Sequence, residues 1–292
     1  EPGGPGVNHE LAKTVLITGC SSGLGLHIAE QAALAGHRVY GGLHSLDNGQ
    51  ELFALAKDLE ITPLKLDVTL ASDREAAVER IVAEEGAIDC LVNNAGTSLG
   101  GFMEELTEEE LRHVFEVNFF GVWALTKACL PHMRQAKKGL IIMISSVSGR
   151  VAMPVIGAYA SSKFALEGMS EALRHESRPF GVQVTLVEPG AYATEMFGRN
   201  RRYAERAFDE ASPYYELMKA ADEWFSSVVA KRKADPVEVG RLVTSLMTRR
   251  QVKMRYPIGP GVKLRLGLMQ WMPYGLLDRL YGRILTGSSE VP

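Results

Sequence analysis

Tyr159 and Lys163 stand four residues apart in the run Tyr-Ala-Ser-Ser-Lys. On a helix this spacing puts both side chains on one face, about one turn apart. A free phenol, with a pKa near 10, is a poor base at neutral pH. A cation within reach favours the phenolate and brings the proton into play. The pair could therefore pass a proton to or from a substrate oxygen. The bland alternative is a helix with one buried Tyr and one solvated Lys, since Tyr-x-x-x-Lys often arises by chance. Ser146 lies thirteen residues before Tyr159, just after the apolar run 140–145. A Ser at the C-terminal edge of a strand in an open sheet points into the ligand crevice. Ser145 and Ser148 read instead as turn residues. Asn118 sits within a long helical period between apolar neighbours, where Asn is a mediocre helix former. Taken alone it reads as a satisfied buried amide.

A second constellation is Thr18-Gly19-Cys20-Ser21-Ser22-Gly23-Leu24-Gly25, between an apolar run and a helical period. Strand, glycines, then helix is the context in which backbone N–H groups cradle a pyrophosphate. An ordinary turn with glycines at positive φ is the weaker alternative.

These residues need elements to position them, and the chain supplies an alternation. Strands are predicted at 14–18, 38–42, 61–66, 88–92, 140–145, 182–187 and near 252–258. Helices are predicted at 23–36, 48–60, 72–85, 107–133, 157–178 and near 236–247. Thr107 and Glu110 form a capping-box pattern at the start of the long one. Strands alternating with helices imply a parallel sheet, and continuous apolar strands imply cover on both faces. The expected fold is a single doubly wound parallel α/β sheet, Rossmann-like, with an extended C-terminal substrate lid. Residues 1–10 read as a flexible lead or expression remnant, and 11–292 as one domain. The lid is expected at about 192–235 and an amphipathic extension at about 261–287.

Composition is that of an ordinary soluble protein, with 46% hydrophobic and 23% charged residues. The net charge of −3 gives no global field that calls for nucleic acid. Cys20, Cys90 and Cys129 are far apart and suggest no disulfide framework. They fit a cytoplasmic location, with membrane association left open. His27, His37, His113, His132 and His175 show no ligand spacing, so no metal is expected. From Arg241 onward, nine Lys/Arg face only Asp278 and Glu290.

The spacing Thr-Gly-x-x-x-Gly-x-Gly at Thr18 to Gly25 resembles the short-chain dehydrogenase/reductase family. The resemblance runs from about residue 14 to 195 in consistent order. It takes in Asp67-Val68, Asn93-Asn94-Ala95-Gly96, Ser146, Tyr159 with Lys163, and Pro189-Gly190 with Thr194. It implies an NAD(P)(H)-dependent oxidoreductase interconverting an alcohol and a ketone or aldehyde. Catalysis would fall to Asn118, Ser146, Tyr159 and Lys163. Tyr159 would be the acid/base and Ser146 would hold the substrate oxygen. Lys163 would tune the phenol and bind the nicotinamide ribose, while Asn118 would interrupt its helix and hold a water in a proton relay. Gly19, Ser21, Ser22, Gly23, Leu24, Gly25, His44, Asp67, Val68, Asn94, Ala95, Gly96, Pro189, Gly190 and Thr194 would bind cofactor, with Tyr159 and Lys163.

At the end of the second strand, an acidic residue selects NAD and a basic one NADP. The acidic position falls on Leu43 and the basic one on His44, with Ser21 and Ser45 as further hydroxyls. NADP(H) is therefore expected to be slightly preferred over NAD(H). Asp47 reads as a helix N-cap.

Within the family, residues 18–29, 159–168 and 186–190 look most like hydroxysteroid and retinol dehydrogenases. This suggests a lipophilic alcohol or ketone. Met196, Phe197, Tyr203, Phe208, Tyr214, Tyr215, Met218, Trp224 and Phe225 could cover it, or simply pack the lid. The resemblance also implies a homodimer or homotetramer through helices 107–133 and 157–178. Leu276, Leu277, Leu280, Tyr281, Ile284 and Leu285 form a stripe opposite Asp278, Arg279 and Arg283. Packing on protein is the first reading of that stripe, and contact with a membrane surface the second. A non-catalytic NAD(P)-sensing protein is the rival function, disfavoured because Tyr159, Lys163, Ser146 and Asn118 are all present. A sugar-nucleotide epimerase would show a different glycine spacing.

Overall fold

Thr14–Ile17 (β1) is buried at every residue, as a strand covered on both faces must be. The computed structural model of the chain describes residues 12–192, 201–230 and 234–286. In chain order, β1 leads to α1 (Gly23–Leu34), β2 (Arg38–Leu43), α2 (Gln50–Leu55), β3 (Ile61–Lys65), α3 (Ala71–Glu85) and β4 (Cys90–Asn93). Then come α4 (Glu108–Phe115), α5 (Gly121–Gln135), β5 (Gly139–Ile144), α6 (Gly157–Ser177) and β6 (Val182–Pro189). The remainder is α7 (Tyr215–Ala230), α8 (Val237–Met247), β7 (Arg255–Ile258), α9 (Val262–Trp271) and α10 (Tyr274–Thr286). The strands form one sheet in the order β3-β2-β1-β4-β5-β6-β7, every pairing parallel.

Two apolar layers cover the sheet. Ile28, Ala29 and Ala32 of α1 meet Val239, Val243 and Leu246 of α8 on one face. Val78 and Ile81 of α3, Leu125 and Cys129 of α5 and Leu166 of α6 fill the other. All three cysteines are buried and free. A third cluster seats the lid, with Ala204, Ala207, Met218 and Ala221 packed against Leu99, Val114, Val155 and Ala158.

Several expectations change in detail. The helix expected at 48–60 shrinks to α2, preceded by a short 3-10 turn, Leu46–Asn48. Asp47 is not the N-cap. Ser45 caps that turn, its Oγ accepting from the Asp47 N–H at 3.3 Å, and Gly49 occupies the N-cap of α2. The long helix 107–133 starts on the expected capping box of Thr107 and Glu110. It divides into α4, a π turn at Glu116–Phe120 and α5. Asn118 lies in the π turn, so the distortion falls where the helix holds its one buried amide of that turn.

Candidate active site

The order of strands reverses between β1 and β4, and an open α/β sheet takes its ligand at that point, outside the strands' C-terminal ends. A cavity of about 450 Å³ lies there. The turn from β1 into α1 forms one wall, with Gly19 and Gly23 at φ of +70° and +58°. A Cβ on Gly25 would stand 2.1 Å from the Gly19 carbonyl oxygen, so only glycine lets the turn close. Ser22, the N-cap of α1, makes no side-chain capping bond. The first N–H groups of α1 can thus serve an anion. This is a cradle that fits a dinucleotide pyrophosphate.

Thr18 locks that cradle to the turn after β4. Its Oγ1 accepts from the backbone N–H groups of Asn94 and Ala95, both at 2.9 Å. Asn94 Nδ2 donates back to the carbonyls of Thr18 and Gly19 at 2.8 and 3.1 Å. At the β3 edge of the sheet, Asp67 accepts from the Thr69 N–H and hydroxyl at 2.9 and 2.7 Å. Its other oxygen lies 3.2 Å from His44 Nε2. Burial alone would raise the Asp67 carboxyl, but the Thr69 hydrogen bonds and the charge of His44 hold it below its ordinary value. Leu43 points into the core, fully buried, while His44 lines the cavity.

The proton-handling groups converge at the end of β5. Ser146 continues the strand in extended conformation, and its Oγ accepts from the Ser148 N–H at 3.0 Å. Tyr159 and Lys163, on the first two turns of α6, are 5% and 4% exposed. Burial pushes the Tyr159 phenol above its ordinary value, and its hydrogen bond with Ser146 pulls it partly back. Burial pushes the Lys163 ammonium down to about 8, opposed by the negative charge of Glu167. Lys163 Nζ donates to the Ile144 carbonyl at 2.9 Å and lies 5.7 Å from the Tyr159 ring centroid. Asn118 is fully buried behind them. Its Oδ1 accepts from the Thr97 N–H at 2.8 Å, and its Nδ2 donates to the Thr97 carbonyl and Ser162 Oγ at 2.8 and 2.9 Å.

Of the residues singled out in the sequence, Gly19, Ser21, Ser22, Gly23, Leu24, His44, Asp67, Val68, Asn94, Ala95 and Gly96 line this cavity. So do Ser146, Tyr159, Lys163, Pro189 and Gly190. Gly25 and Asn118 stand behind its wall. Thr194, Met196 and Phe197 lie outside the described residues. Ser145 is not merely a turn residue: its N–H bonds the Val187 carbonyl at 2.8 Å and it lines the cavity. His113, Tyr192 and Arg202 also line it, and no spacing in the sequence marks them. The other described aromatic residues of the lid do not line it. Tyr203 packs edge-on to Phe208, Tyr214 stacks on Phe102, and Trp224 and Phe225 line a separate, smaller cavity with Tyr281 and Leu285.

A family model described as short chain dehydrogenase matches residues 13–205. This chain is a short-chain dehydrogenase/reductase. Its relatives include a 3-ketodihydrosphingosine reductase of Bacteroides thetaiotaomicron, 36% identical over 90% of this chain and 94% of that one. Human retinol dehydrogenase 8 is 40% identical over 84% of this chain and 82% of its own. Among solved structures, a short-chain dehydrogenase/reductase from Burkholderia phymatum in complex with NAD superposes with a TM-score of 0.77. It shares 25% identity and covers 96% of this chain and 97% of its own. An actinorhodin polyketide ketoreductase with NADPH gives a TM-score of 0.74 at 30% identity, over 86% of this chain and 97% of its own. The short-chain dehydrogenase/reductase is therefore an NAD(P)-dependent oxidoreductase.

Proposed function

We propose that this enzyme interconverts an alcohol and a ketone or aldehyde with Tyr159 as the acid/base. When bound, the nicotinamide cofactor supplies or takes up the hydride. In reduction, Tyr159 Oη donates its proton to the substrate oxygen, and in oxidation it takes the proton back. Ser146 holds that oxygen beside the phenol and stabilises its developing charge. Protonated Lys163 favours the phenolate against the burial that opposes it. It would also hold the cofactor ribose. Asn118 contributes through the backbone of its π turn, because both ends of its amide are already engaged. A π turn frees a carbonyl from the helical ladder, and a water held there could reach Lys163. The convergence of Ser146, Tyr159 and Lys163 beside the glycine cradle carries this reading.

The test is reduction of a panel of steroid, retinoid, acyl and small carbonyl compounds, followed at 340 nm. Tyr159→Phe should lower turnover by about a hundredfold or more while cofactor binding persists. Cofactor binding with no turnover on any member would favour the sensing reading. The same assay compares cofactors. His44 at the cavity wall and the absence of an acid at Leu43 support a slight preference for NADP(H), and a tenfold advantage for NAD(H) would refute it.

A lipophilic alcohol or ketone is the proposed substrate class, supported by relatives named for 3-ketodihydrosphingosine and retinol. Self-association is also proposed. Trp123 of α5, Phe164 of α6 and Phe120 between α4 and α5 are close to half exposed, an apolar surface that a second copy would cover. No helix among the described residues is long and apolar enough to cross a membrane. Contact with a membrane surface is supported by α9, where Leu264, Leu268 and Trp271 are exposed on one face.

A further inference from the structure

Two arginines open the described part of the lid, and the backbone sends them to opposite sides. The Gly100 N–H donates to the Arg202 carbonyl at 2.9 Å, and the Ala204 N–H donates to the Gly100 carbonyl at 2.8 Å. Gly100 and Tyr203 pair as a parallel bridge. In extended backbone, successive side chains alternate, so Arg201 and Tyr203 share a side. There Arg201 pairs with Asp222 at 2.5 Å, and its guanidinium lies 4.8 Å from the ring centroids of both Tyr203 and Phe225. Tyr203 Oη donates to the same carboxylate at 2.7 Å. The charge of Arg201 is consumed in holding the lid together.

Arg202 goes to the other side, onto the wall of the cavity that holds Ser146, Tyr159 and Lys163. Its Nη1 lies 3.2 Å from Nε2 of His113, which lines the same cavity. Among the described residues, no carboxylate pairs with Arg202. The acid of the cavity wall is Asp67, at the β3 edge of the sheet, already engaged by Thr69 and His44. The cofactor's pyrophosphate has its own cradle at the β1–α1 turn. Tyr203, Phe208, Tyr214, Trp224 and Phe225 of the lid pack elsewhere.

We infer that Arg202, backed by His113, is an anion-recognition point of the substrate cavity, and that the substrate carries a carboxylate or phosphate apart from its reacting carbonyl. A guanidinium presents a planar fork of donors that matches both groups. Among the described residues His113 engages one N–H, which leaves the rest of the fork for a ligand. The bridge to Gly100 fixes the backbone there and His113 engages the guanidinium; the side chain is exposed at the rim, where a cation gains strength as a bound substrate displaces water around it. The inference rests on the proposed alcohol–carbonyl chemistry and narrows its substrates to amphiphiles with an anionic end.

The experiment uses straight-chain octanoates bearing the oxo group at positions 3 to 6, each beside its methyl ester. Wild-type enzyme, Arg202→Gln and Arg202→Lys are compared by kcat/KM at saturating cofactor. Binding of the acids to Tyr159→Phe and to Tyr159→Phe/Arg202→Gln, both loaded with cofactor, is measured by calorimetry. Wild type should prefer at least one acid over its ester by about tenfold or more, the scale of a charge-assisted hydrogen bond. Arg202→Gln should bring that ratio close to one, and Arg202→Lys should keep part of it. No acid preference in wild type, or an unchanged one in Arg202→Gln, overturns the assignment. A tenfold loss of NADPH affinity in Arg202→Gln with the acid preference intact would move Arg202 to the cofactor phosphates and overturn it too. Acid binding that depends on Arg202, without turnover of any compound, keeps the anion point and removes the proposed reaction. Should Arg202→Gln lose its cooperative melt, His113→Gln makes the same comparison, with a reduced acid preference expected and an unchanged one counting against the pair.

Discussion

Replacing Lys163 with Met removes a cation that the fold holds at 4% exposure. Burial takes this ammonium from its ordinary 10.5 down to about 8. Between those values the unfolded chain binds the proton and the folded chain does not. Wild-type stability must therefore rise with pH through that window, and below about pH 8 the full burden of the buried charge is present. At about 1.4 kcal/mol per pH unit, the burden is about 3 kcal/mol. Met has a similar reach and no charge, so it escapes this cost. It also loses the hydrogen bond to the Ile144 carbonyl, and an unpaired buried carbonyl costs about 1–3 kcal/mol. At pH 7 the variant should thus be as stable as wild type or more stable, by up to about 2 kcal/mol.

The pH dependence isolates the charge, because the carbonyl does not titrate. Urea unfolding of both proteins at pH 7 and pH 10 is the assay. From pH 7 to pH 10, wild type should gain about 2–3 kcal/mol relative to Lys163→Met. Turnover of the variant should fall by about a hundredfold or more, since the cation that favours the phenolate is gone. A stability difference that stays flat with pH would refute the reasoning, whatever the variant does to activity.

Three further outcomes can be measured. Gly25→Ala places a methyl group 2.1 Å from the Gly19 carbonyl oxygen and 2.4 Å from Asn94 Nδ2; cofactor titration should show binding lost and the melting temperature should fall. Thr18→Val deprives the Asn94 and Ala95 N–H groups of their common acceptor, so denaturant unfolding should show a loss of about 2 kcal/mol or more, with weakened cofactor binding. Replacing Leu264, Leu268 and Trp271 together with Gln should abolish co-sedimentation with anionic vesicles and leave turnover of a soluble ketone intact; equal pelleting of both proteins would remove the membrane reading.

The parallel sheet, its cover on both faces and most of the cavity wall were legible because they rest on patterns local in sequence. Glycine spacing at Gly19 to Gly25 and the four-residue step from Tyr159 to Lys163 each describe one turn of backbone. Asp47 was misread because a short turn capped by Ser45 starts before it and takes it inside, its N–H bonded to Ser45 Oγ. Ser145 was misread because its ladder bond goes to Val187, forty-two residues away. Arg202 and His113 could not be paired from the sequence, being 89 residues apart and on different elements. Which of the adjacent Arg201 and Arg202 faces the cavity depends on the bridge between Gly100 and Tyr203. Tyr203, Tyr214 and Trp224 read equally well as cavity wall or as packing, and the fold uses them for packing. The C-terminal stripe divides as well. Leu277 is buried and Leu285 packs on the lid cluster, whereas Leu276 is half exposed; the side chains of Leu280 and Ile284 lie outside what is described.

Residues of the basic C-terminal region go both inward and outward. Arg255 on β7 turns inward, with Nε 2.9 Å from Glu167 Oε2 and 3.3 Å from Glu188 Oε1, and Nη2 2.6 Å from Glu171 Oε1. Arg150 shares Glu188 at 3.0 Å. Glu167 and Glu188 are buried, and carboxylates at such positions persist only when paired. Glu167 lies one turn beyond Lys163 on α6, and its charge draws the Lys163 pKa upward against burial. Arg255 therefore supports the proposed proton site from behind: its charge and hydrogen bond pull the Glu167 pKa down against the burial that raises it. Lys263 of α9 and Arg279 and Arg283 of α10 stay at the surface. Part of the chain's charge asymmetry thus goes to an internal partner, Glu167 and Glu171 of α6 with Glu188 of β6, and part lies on a surface with the exposed apolar residues of α9, a combination that suits the proposed contact with an anionic lipid surface.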